Sequence, residues 1–192
     1  LRAQTYLHKK SVVDSMMSIK NIGVEIIRGQ RIPQPKTNKI KEYINIGIIN
    51  FNEYGFIDTS HIERSVGDID KVNANKLQAY DILLSLRGIS PKITIVNNSD
   101  IDMVANAGIL ILRAKNKEDS ICLYCFLFSH YAQKVLSELY EQTEKKAIDV
   151  NELYNIELPR DFRENALEKF DLINKIGNKI NDLHNELDKL RN

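Results

Sequence analysis

Residues 77–96 of the chain read LQAYDILLSLRGISPKITIV. The apolar runs Ile82–Leu86 and Ile93–Val96 predict two strands, and the loop RGISPK between them contains the glycine and proline typical of a short connection. The run GILILR at Gly108–Arg113 predicts a third strand shortly afterwards. We therefore expect a sheet of short strands at the centre of the fold.

The sequence before this stretch adds strands and a basic loop. We predict strands at Gly23–Ile27 and Tyr43–Asn50, then a turn at Gly55 with a short second strand, and a helix at Asp70–Tyr80. The segment between the first two strands, RGQRIPQPKTNKIK, has two prolines and no apolar period. These features predict a loop.

Helical segments follow the predicted sheet. The run SICLYCFLFSHYAQKVLSELYEQ contains no glycine or proline, which predicts one long helix, beginning near Lys117 and packed on the sheet. Asp149 and Glu152 have the spacing of a capping box, which predicts a short helix there. The string NIELP predicts a last strand that ends at Pro159.

The C-terminal segment predicts one long helix. Asp161 and Glu164 are spaced as an N-cap and its N3 partner, so we expect a helix from there to the C-terminus, about 45 Å long. Apolar residues then alternate at spacings of three and four, as in a coiled coil. This seam consists of Ile173, Ile176, Ile180, Leu183, Leu187 and Leu190. A stripe this narrow needs a partner helix, from a second chain or from another segment of this one.

Composition limits the class of protein. The chain has 192 residues, of which 43% are hydrophobic and 28% charged, enough for one sizeable core. Two cysteines exclude a disulfide framework and favour a cytoplasmic location, and without an 18-residue apolar run we expect no membrane span. The net charge of +1 conceals a basic front, because residues 1–41 contain 9 Lys/Arg and 2 Asp/Glu. Such a segment occurs on phosphate-binding and on merely solvated surfaces.

The residue patterns do not favour catalysis. Cys122 and Cys125 form a single C-x-x-C among apolar neighbours, with only His130 nearby, so we interpret them as core residues rather than metal ligands. No Gly-rich phosphate loop occurs, and the E-x-K at residues 144–146 lacks the Pro-Asp pair of a metal-dependent nuclease. The residues alone predict a non-enzymatic module with no cofactor and no metal, and a small nuclease is the enzyme alternative.

Several of these strings, in order, resemble the specificity (S) subunit of type I restriction-modification enzymes, in which each target-recognition domain is followed by a long helix. The similar strings are IIRGQRIPQPK, YINIGIINFNEYGFID, LQAYDILLSLRGISPKITIV, ANAGILILR, LYCFLFSHYAQKVL and NIELP. The family's Pro-apolar-Pro and Glu-Gln near the helix start are replaced here by Pro159-Arg160-Asp161 and Glu164-Asn165. The usual subunit has two domains and two helices, whereas this chain has one of each and resembles a half subunit.

The resemblance implies an α+β fold, in which a mixed β-sheet target-recognition domain with packed helices precedes a long C-terminal coiled-coil helix. We accordingly divide the chain into a lead-in segment (1–21), a DNA-binding domain (22–160) and a dimerisation helix (161–192). The implied role is recognition of double-stranded DNA for an adenine-N6 methyltransferase (M) subunit and, where present, a restriction (R) subunit. The sequence has no Asn/Asp-Pro-Pro-Tyr/Phe string, which agrees with a subunit that reads DNA without modifying it.

Three segments are predicted to face DNA, because Arg and Gln make bidentate contacts to base edges while Lys more often contacts phosphate. The predicted residues are Arg28, Gln30, Arg31, Gln34, Lys36 and Lys39 in the basic loop, Arg87, Ser90 and Lys92 in the turn at 87–92, and Thr143, Lys145 and Lys146 in the polar stretch at 143–146. A half subunit needs a second copy to read two half-sites, so we expect an antiparallel homodimer and an inverted-repeat target.

Other interpretations remain open at this point. The chain can be the C-terminal recognition domain of a single-chain methyltransferase or nuclease. Its helix can dock on the M subunits, or on a second half of its own chain, instead of a second copy. Finally, the chain can be a coiled-coil interaction module whose basic residues do not bind DNA.

Overall fold

The computed structural model describes residues 17–35, 38–58, 62, 64–97, 101–144 and 146–191, which form short strands and five α-helices. The strands are β1 (Met17–Ser18), β2 (Glu25–Arg28), β3 (Ile40–Ile46), β4 (Arg64–Asp68), β5 (Ile82–Ser85), β6 (Ile93–Ile95), β7 (Met103–Ala105), β8 (Ile109–Arg113) and β9 (Glu157–Leu158). The helices are α1 (Ile69–Ala74), α2 (Lys117–Leu127), α3 (His130–Glu141), α4 (Val150–Tyr154) and α5 (Ala166–Arg191). The α+β class with a long C-terminal helix is confirmed.

A four-stranded antiparallel sheet of order β2-β8-β5-β6 is the centre of the fold. The predicted strand-loop-strand unit at 82–96 is confirmed as the β5–β6 hairpin. Every residue of β5 is buried, and successive side chains point to opposite faces of the sheet. Ile82 and Leu84 pack in one core with α2 and α3, while Leu83 packs in a second core with β3 and β7. Both faces of the sheet are therefore covered.

A three-stranded sheet of order β4-β3-β7 covers the face opposite the helices. β3 pairs antiparallel with β4 and parallel with β7, which makes this sheet mixed. The sequence did not predict β4 or β7, because RSVGD is largely polar and MVA is only three residues long. A two-stranded ladder joins β1, which lies in the predicted lead-in segment, to β9 at the end of the domain.

The strand predicted at Tyr43–Asn50 lies at Ile40–Ile46 instead, and a 3-10 helix follows at Ile48–Asn50. The chain turns there because the Asn50 side chain accepts a hydrogen bond of 2.9 Å from the Gly47 amide. The short strand predicted after Gly55 is reduced to a single bridge between Phe51 and Ile57.

The long helix predicted from Lys117 is two helices, α2 and α3. Ser129 accounts for the break, because its hydroxyl accepts from the Ala132 amide as the N-cap of α3. α2 is buried on most of its surface, and α3 is amphipathic, with Leu136 and Leu139 facing the core. Both helices pack on the central sheet as predicted.

α1 is shorter than the helix predicted at Asp70–Tyr80. It follows the Asp68 N-cap and ends at Ala74, after which the Leu77 amide donates to Met103 O at 2.8 Å. The helix ends because Leu77 bonds to β7 of the second sheet instead of continuing the helix. The short helix predicted at Asp149 is confirmed as α4, in which the Asp149 carboxylate caps two amides.

Two aspartates form ion pairs, one beside each sheet. Asp81, 1% exposed, accepts two hydrogen bonds from the Arg113 guanidinium at 2.8 and 2.6 Å. Asp102 lies 2.8 Å from both Lys41 and Lys76, and hydrogen bonds from these ammonium groups lower the pKa of the Asp102 carboxyl. The first pair is inside the fold and the second is at its surface.

The long helix α5 does not begin at an Asp161 N-cap, so that prediction is wrong. Asp161 lies in a 3-10 helix at Arg160–Arg163, and Asn165, with φ +56°, redirects the chain before α5 begins at Ala166. At 26 residues α5 is about 39 Å long, slightly shorter than expected. Among the described residues, no helix is long and apolar enough to cross a membrane.

Candidate nucleic-acid interface

Two of the predicted DNA-facing segments meet at one end of the central sheet. In the antiparallel register Arg28 pairs with Leu110 and Ser85 with Ile109, so the loop after β2 and the turn after β5 leave the sheet side by side. The Leu86 amide then donates to Gly108 O at 2.8 Å, and Gly29 donates to Ile109 O at 2.9 Å. We call this end of the sheet, with residues 29–31, 47–50, 86–92, 106–108, 143–144 and 146–147, the loop end.

The third predicted segment joins the same end. A bridge connects Arg87 to Ala147, Gly88 N donates to Lys146 O at 3.3 Å, and Ile148 N donates to Leu86 O at 3.1 Å. The Thr143 hydroxyl bonds the amide and the carbonyl of Ala147, so this side chain shapes the stretch from within. The polar stretch is thus a support of the turn at 87–92, and the exposed Lys146 flanks it.

The basic loop crosses the outer surface of the second sheet. Its start is held by the bond from Gln30 N to Ala105 O, 2.9 Å long. A side chain at Gly29 would collide with Asn106 O and lie 2.7 Å from Ala105 O, so only glycine allows this close approach. The Gln30 side chain bonds Arg28 O at 3.3 Å. The loop backbone is therefore fixed while its arginines remain exposed.

Two adjoining grooves open beside the basic loop, and both are lined by Arg31 and Asn45. The first also includes Gln34 and Arg64, and the second includes Asn106. Sequence reasoning missed Asn45, Arg64 and Asn106, because no local pattern distinguishes them from ordinary strand and turn residues. Arg64 is also paired with Glu42 at 3.7 Å, an exposed contact that a phosphate can replace.

A buried hydroxyl network anchors the turn at 87–92. Tyr140, 1% exposed, donates to Ser85 O, the Ser85 hydroxyl lies 2.8 Å from the Tyr140 oxygen, and Lys92 N donates to Ser85 Oγ at 2.9 Å. Burial raises the pKa of Tyr140 to about 12, so the phenol keeps its proton near neutral pH. This network fixes the two ends of the turn at Ser85 and Lys92. The residues between them, 87–90, are exposed.

The structure separates one predicted residue from the others. Lys39 precedes β3, whose opposite end reaches the loop end at Asn106, about 20 Å away along the strand. Lys36 and Lys145 lie outside the described residues. Arg28, Gln30, Arg31 and Gln34 are exposed in the basic loop, and Arg87, Ser90 and Lys92 are exposed in the turn. None of the arginines among them forms an ion pair within the described part of the chain.

The two cysteines of the C-x-x-C pair are packed against the core as uncharged thiols. Cys122 and Cys125 are free thiols, and burial raises the pKa of both, that of Cys125 to about 11. Thiols of this kind stay protonated and unreactive. In the residues that the structure describes, no group of three or more His, Cys, Asp and Glu side chains could hold a metal ion.

The predicted coiled-coil seam runs along a side of α5 that the domain leaves open. Phe170 and Gly177 are buried against the domain, and the seam lies about a quarter turn around the helix from them. Ile173 and Ile180 are half-buried, whereas Ile176, Leu183, Leu187 and Leu190 are 49%, 59%, 50% and 84% exposed. The apolar stripe is thus available to a partner helix.

Solved structures with a similar fold come from type I restriction-modification systems. The S subunit from M. genitalium aligns with a TM-score of 0.54 and 14% identity, over 97% of this chain and 45% of that chain. A chain from a study of assembly and conformational transition of the type I R-M system aligns at 0.52 and 15%, over 91% of this chain and 41% of that chain. This likeness confirms, at the level of fold, the resemblance stated from the sequence.

The chain spans less than half the length of these two structures. No protein-family model matches the sequence, and curated proteins give no significant match to it.

Proposed function

We propose that this chain is a DNA-recognition subunit of a type I restriction-modification system, acting as a half subunit. One observation carries the proposal: three segments that are distant in sequence meet at one end of the sheet, on a fold similar to S subunits. Exposed arginine and glutamine side chains there have the donor geometry for guanine and adenine edges. The partner is double-stranded DNA, and the role requires no catalysis.

Assembly with other subunits completes the proposed function. The chain would place an M subunit, and an R subunit where present, at its target in the cytoplasm. The domain at 22–160 would read DNA, and the helix beyond it would join subunits. In this proposal two copies pair through antiparallel α5 helices, which separates the half-site centres by about 11 base pairs, from about 39 Å at 3.4 Å each.

DNA recognition is tested with the double variant Arg31→Ala/Arg87→Ala. Each bidentate arginine contributes a discrimination of about 1–3 kcal/mol, so we expect specific affinity to fall at least about 30-fold and sequence preference to relax. The measurement is fluorescence anisotropy with a duplex selected from a random library by the wild-type chain. The charge-matched control is Lys71→Ala/Lys134→Ala, which removes two exposed charges away from the loop end. Equal affinities for wild type and the arginine variant would exclude this interface.

The homodimer is tested by light scattering on the wild-type chain and on Ile180→Asp/Leu183→Asp. We expect a dimer for the wild type at tens of micromolar and a monomer for the variant, because two buried charges on each helix oppose pairing. Leu167→Asp is the control, since Leu167 is 51% exposed about half a turn away from the seam. A wild-type monomer, or a dimer that resists both seam charges, contradicts this part of the proposal.

A further inference from the structure

The loop end carries two of the most exposed large apolar side chains in the described structure. Ile89 is 92% exposed and Ile49 is 84% exposed. By comparison, three exposed isoleucines away from the loop end, Ile40, Ile101 and Ile176, are 56%, 56% and 49% exposed. Single exposed apolar residues are common on protein surfaces, but these two belong to neighbouring loops of one candidate interface.

Ile89 is held outward by a well-anchored turn. The turn connects β5 to β6 and is closed by the bond from Ser85 N to Lys92 O, 2.9 Å long, while Gly88 N donates to Lys146 O. Pro91 is buried beneath it. With its backbone fixed on both sides, the turn keeps the Ile89 side chain in solvent and prevents it from folding back onto the core.

Ile49 stands on the neighbouring 3-10 helix at Ile48–Asn50. A side chain at Gly108 would lie 3.6 Å from Ile48, and Gly108 O accepts from Leu86 N at the base of the turn. The 3-10 helix and the turn are therefore separated by one glycine. Ile49 also lines the second groove together with Arg31. Each isoleucine thus lies beside an exposed arginine, Ile49 beside Arg31 and Ile89 two residues from Arg87.

This arrangement matches the chemistry of a DNA major groove. The groove admits a two-stranded β-ribbon, and because β5 and β6 are themselves buried, the exposed turn at 87–92 is the part of the hairpin that can enter it. Thymine is distinguished there by its C5-methyl group, which an apolar side chain contacts. Arginine and glutamine cannot recognise that methyl group, since they read hydrogen-bonding edges. An interface with arginine and glutamine alone would leave the thymine methyl group without a contact.

We propose that Ile89 and Ile49 are specificity residues that contact thymine methyl groups in the major groove of the target. This inference rests on the proposed function, because it requires that the loop end binds DNA. It adds a prediction about the target itself. Each half-site contains a thymine facing Ile89 and another facing Ile49, next to the pairs that the arginines contact.

The test uses the duplex selected by the wild-type chain and compares it with duplexes in which single thymines are replaced by deoxyuridine, which lacks only the methyl group. We expect at least one replacement per half-site to weaken wild-type binding about fourfold, the contribution of one buried methyl-sized group. The same replacement should not weaken Ile89→Ala or Ile49→Ala further, whichever side chain made that contact. Both variants should bind random duplexes with the wild-type salt dependence.

Ile40→Ala is the matched control, because Ile40 is an exposed isoleucine at the far end of β3 and its variant should bind as the wild type does. A selected target without thymine overturns the inference. So does a full set of deoxyuridine duplexes that bind like the parent, even if Ile89→Ala weakens binding. If the wild-type chain shows no salt-dependent DNA binding at all, the proposed function itself fails and this inference with it.

Discussion

Replacing Gly177 with alanine should destabilise the protein, although the same change stabilises most helices. Gly177 packs directly against Phe56 of the domain, and a methyl group there would overlap Phe56 Cε2 and lie 2.6 and 2.7 Å from Cζ and Cδ2. Ordinary carbon contacts are 3.5–4.0 Å. The Phe56 ring is 8% exposed and also lines a cavity of about 270 Å³, so it can move away from the methyl group only by giving up its packing under the helix.

Two opposing terms set the size of the effect. Alanine is favoured over glycine inside a helix by about 1 kcal/mol. Overpacking a buried contact costs about 1–3 kcal/mol, and an overlap with three ring carbons places this site at the upper end. The net expectation is a loss of about 2 kcal/mol in the free energy of unfolding, or a decrease of roughly 4–8 °C in Tm for a domain of this size.

The assay is thermal and urea unfolding of wild type, Gly177→Ala, Phe56→Leu and the double variant. Phe56→Leu removes the ring atoms that the methyl group meets, so in this background Gly177→Ala should become neutral or stabilising. That reversal of sign is what steric contact predicts and what a simple helix-propensity effect cannot produce. A Gly177→Ala protein with unchanged or higher Tm would refute the close packing of α5 on the domain.

Three further substitutions test ion pairs and hydrogen bonds that stabilise the fold. Asp81→Asn leaves Arg113 without its carboxylate, and we expect a loss of about 3 kcal/mol in urea unfolding; a loss under about 1 kcal/mol would contradict a buried ion pair. Tyr140→Phe removes the hydroxyl bonded to Ser85 and should cost about 1–3 kcal/mol by the same measurement, whereas an unchanged value would mean that the network is not formed. Asp102→Asn should lower the free energy of unfolding by at most about 1 kcal/mol at pH 7. Because the pKa of Asp102 is lowered in the folded state, its stabilising contribution is present above the unfolded pKa of about 3.9 and is lost as the pH falls through the folded pKa. A difference between wild type and variant that grows on acidification would contradict this expectation.

The best-predicted elements are those whose stability is local. The strands at 82–85, 93–95 and 109–113 are apolar runs bounded by turn residues. α5 was predicted from a strict heptad repeat, although its start was misplaced because Asn165 redirects the chain. β4 and β7 were missed because their short or polar sequences become strands only by pairing with β3.

The sequence by itself determined the fold class, the hairpin, the long helix and the types of residue able to contact DNA, since each depends on the spacing of side chains along a few turns or strands. Only the tertiary structure decided which of these residues are neighbours. The antiparallel register brings residues 28–31, 87–92 and 146 to one end of the sheet and leaves Lys39 at the far end of β3. The tertiary structure also explains Gly177. Glycine is unfavourable inside a helix, but here it allows the helix to pack closely against Phe56. Spatial proximity of this kind arises from pairing and packing between segments that are distant in the sequence. Local sequence patterns therefore cannot predict which segments will be neighbours.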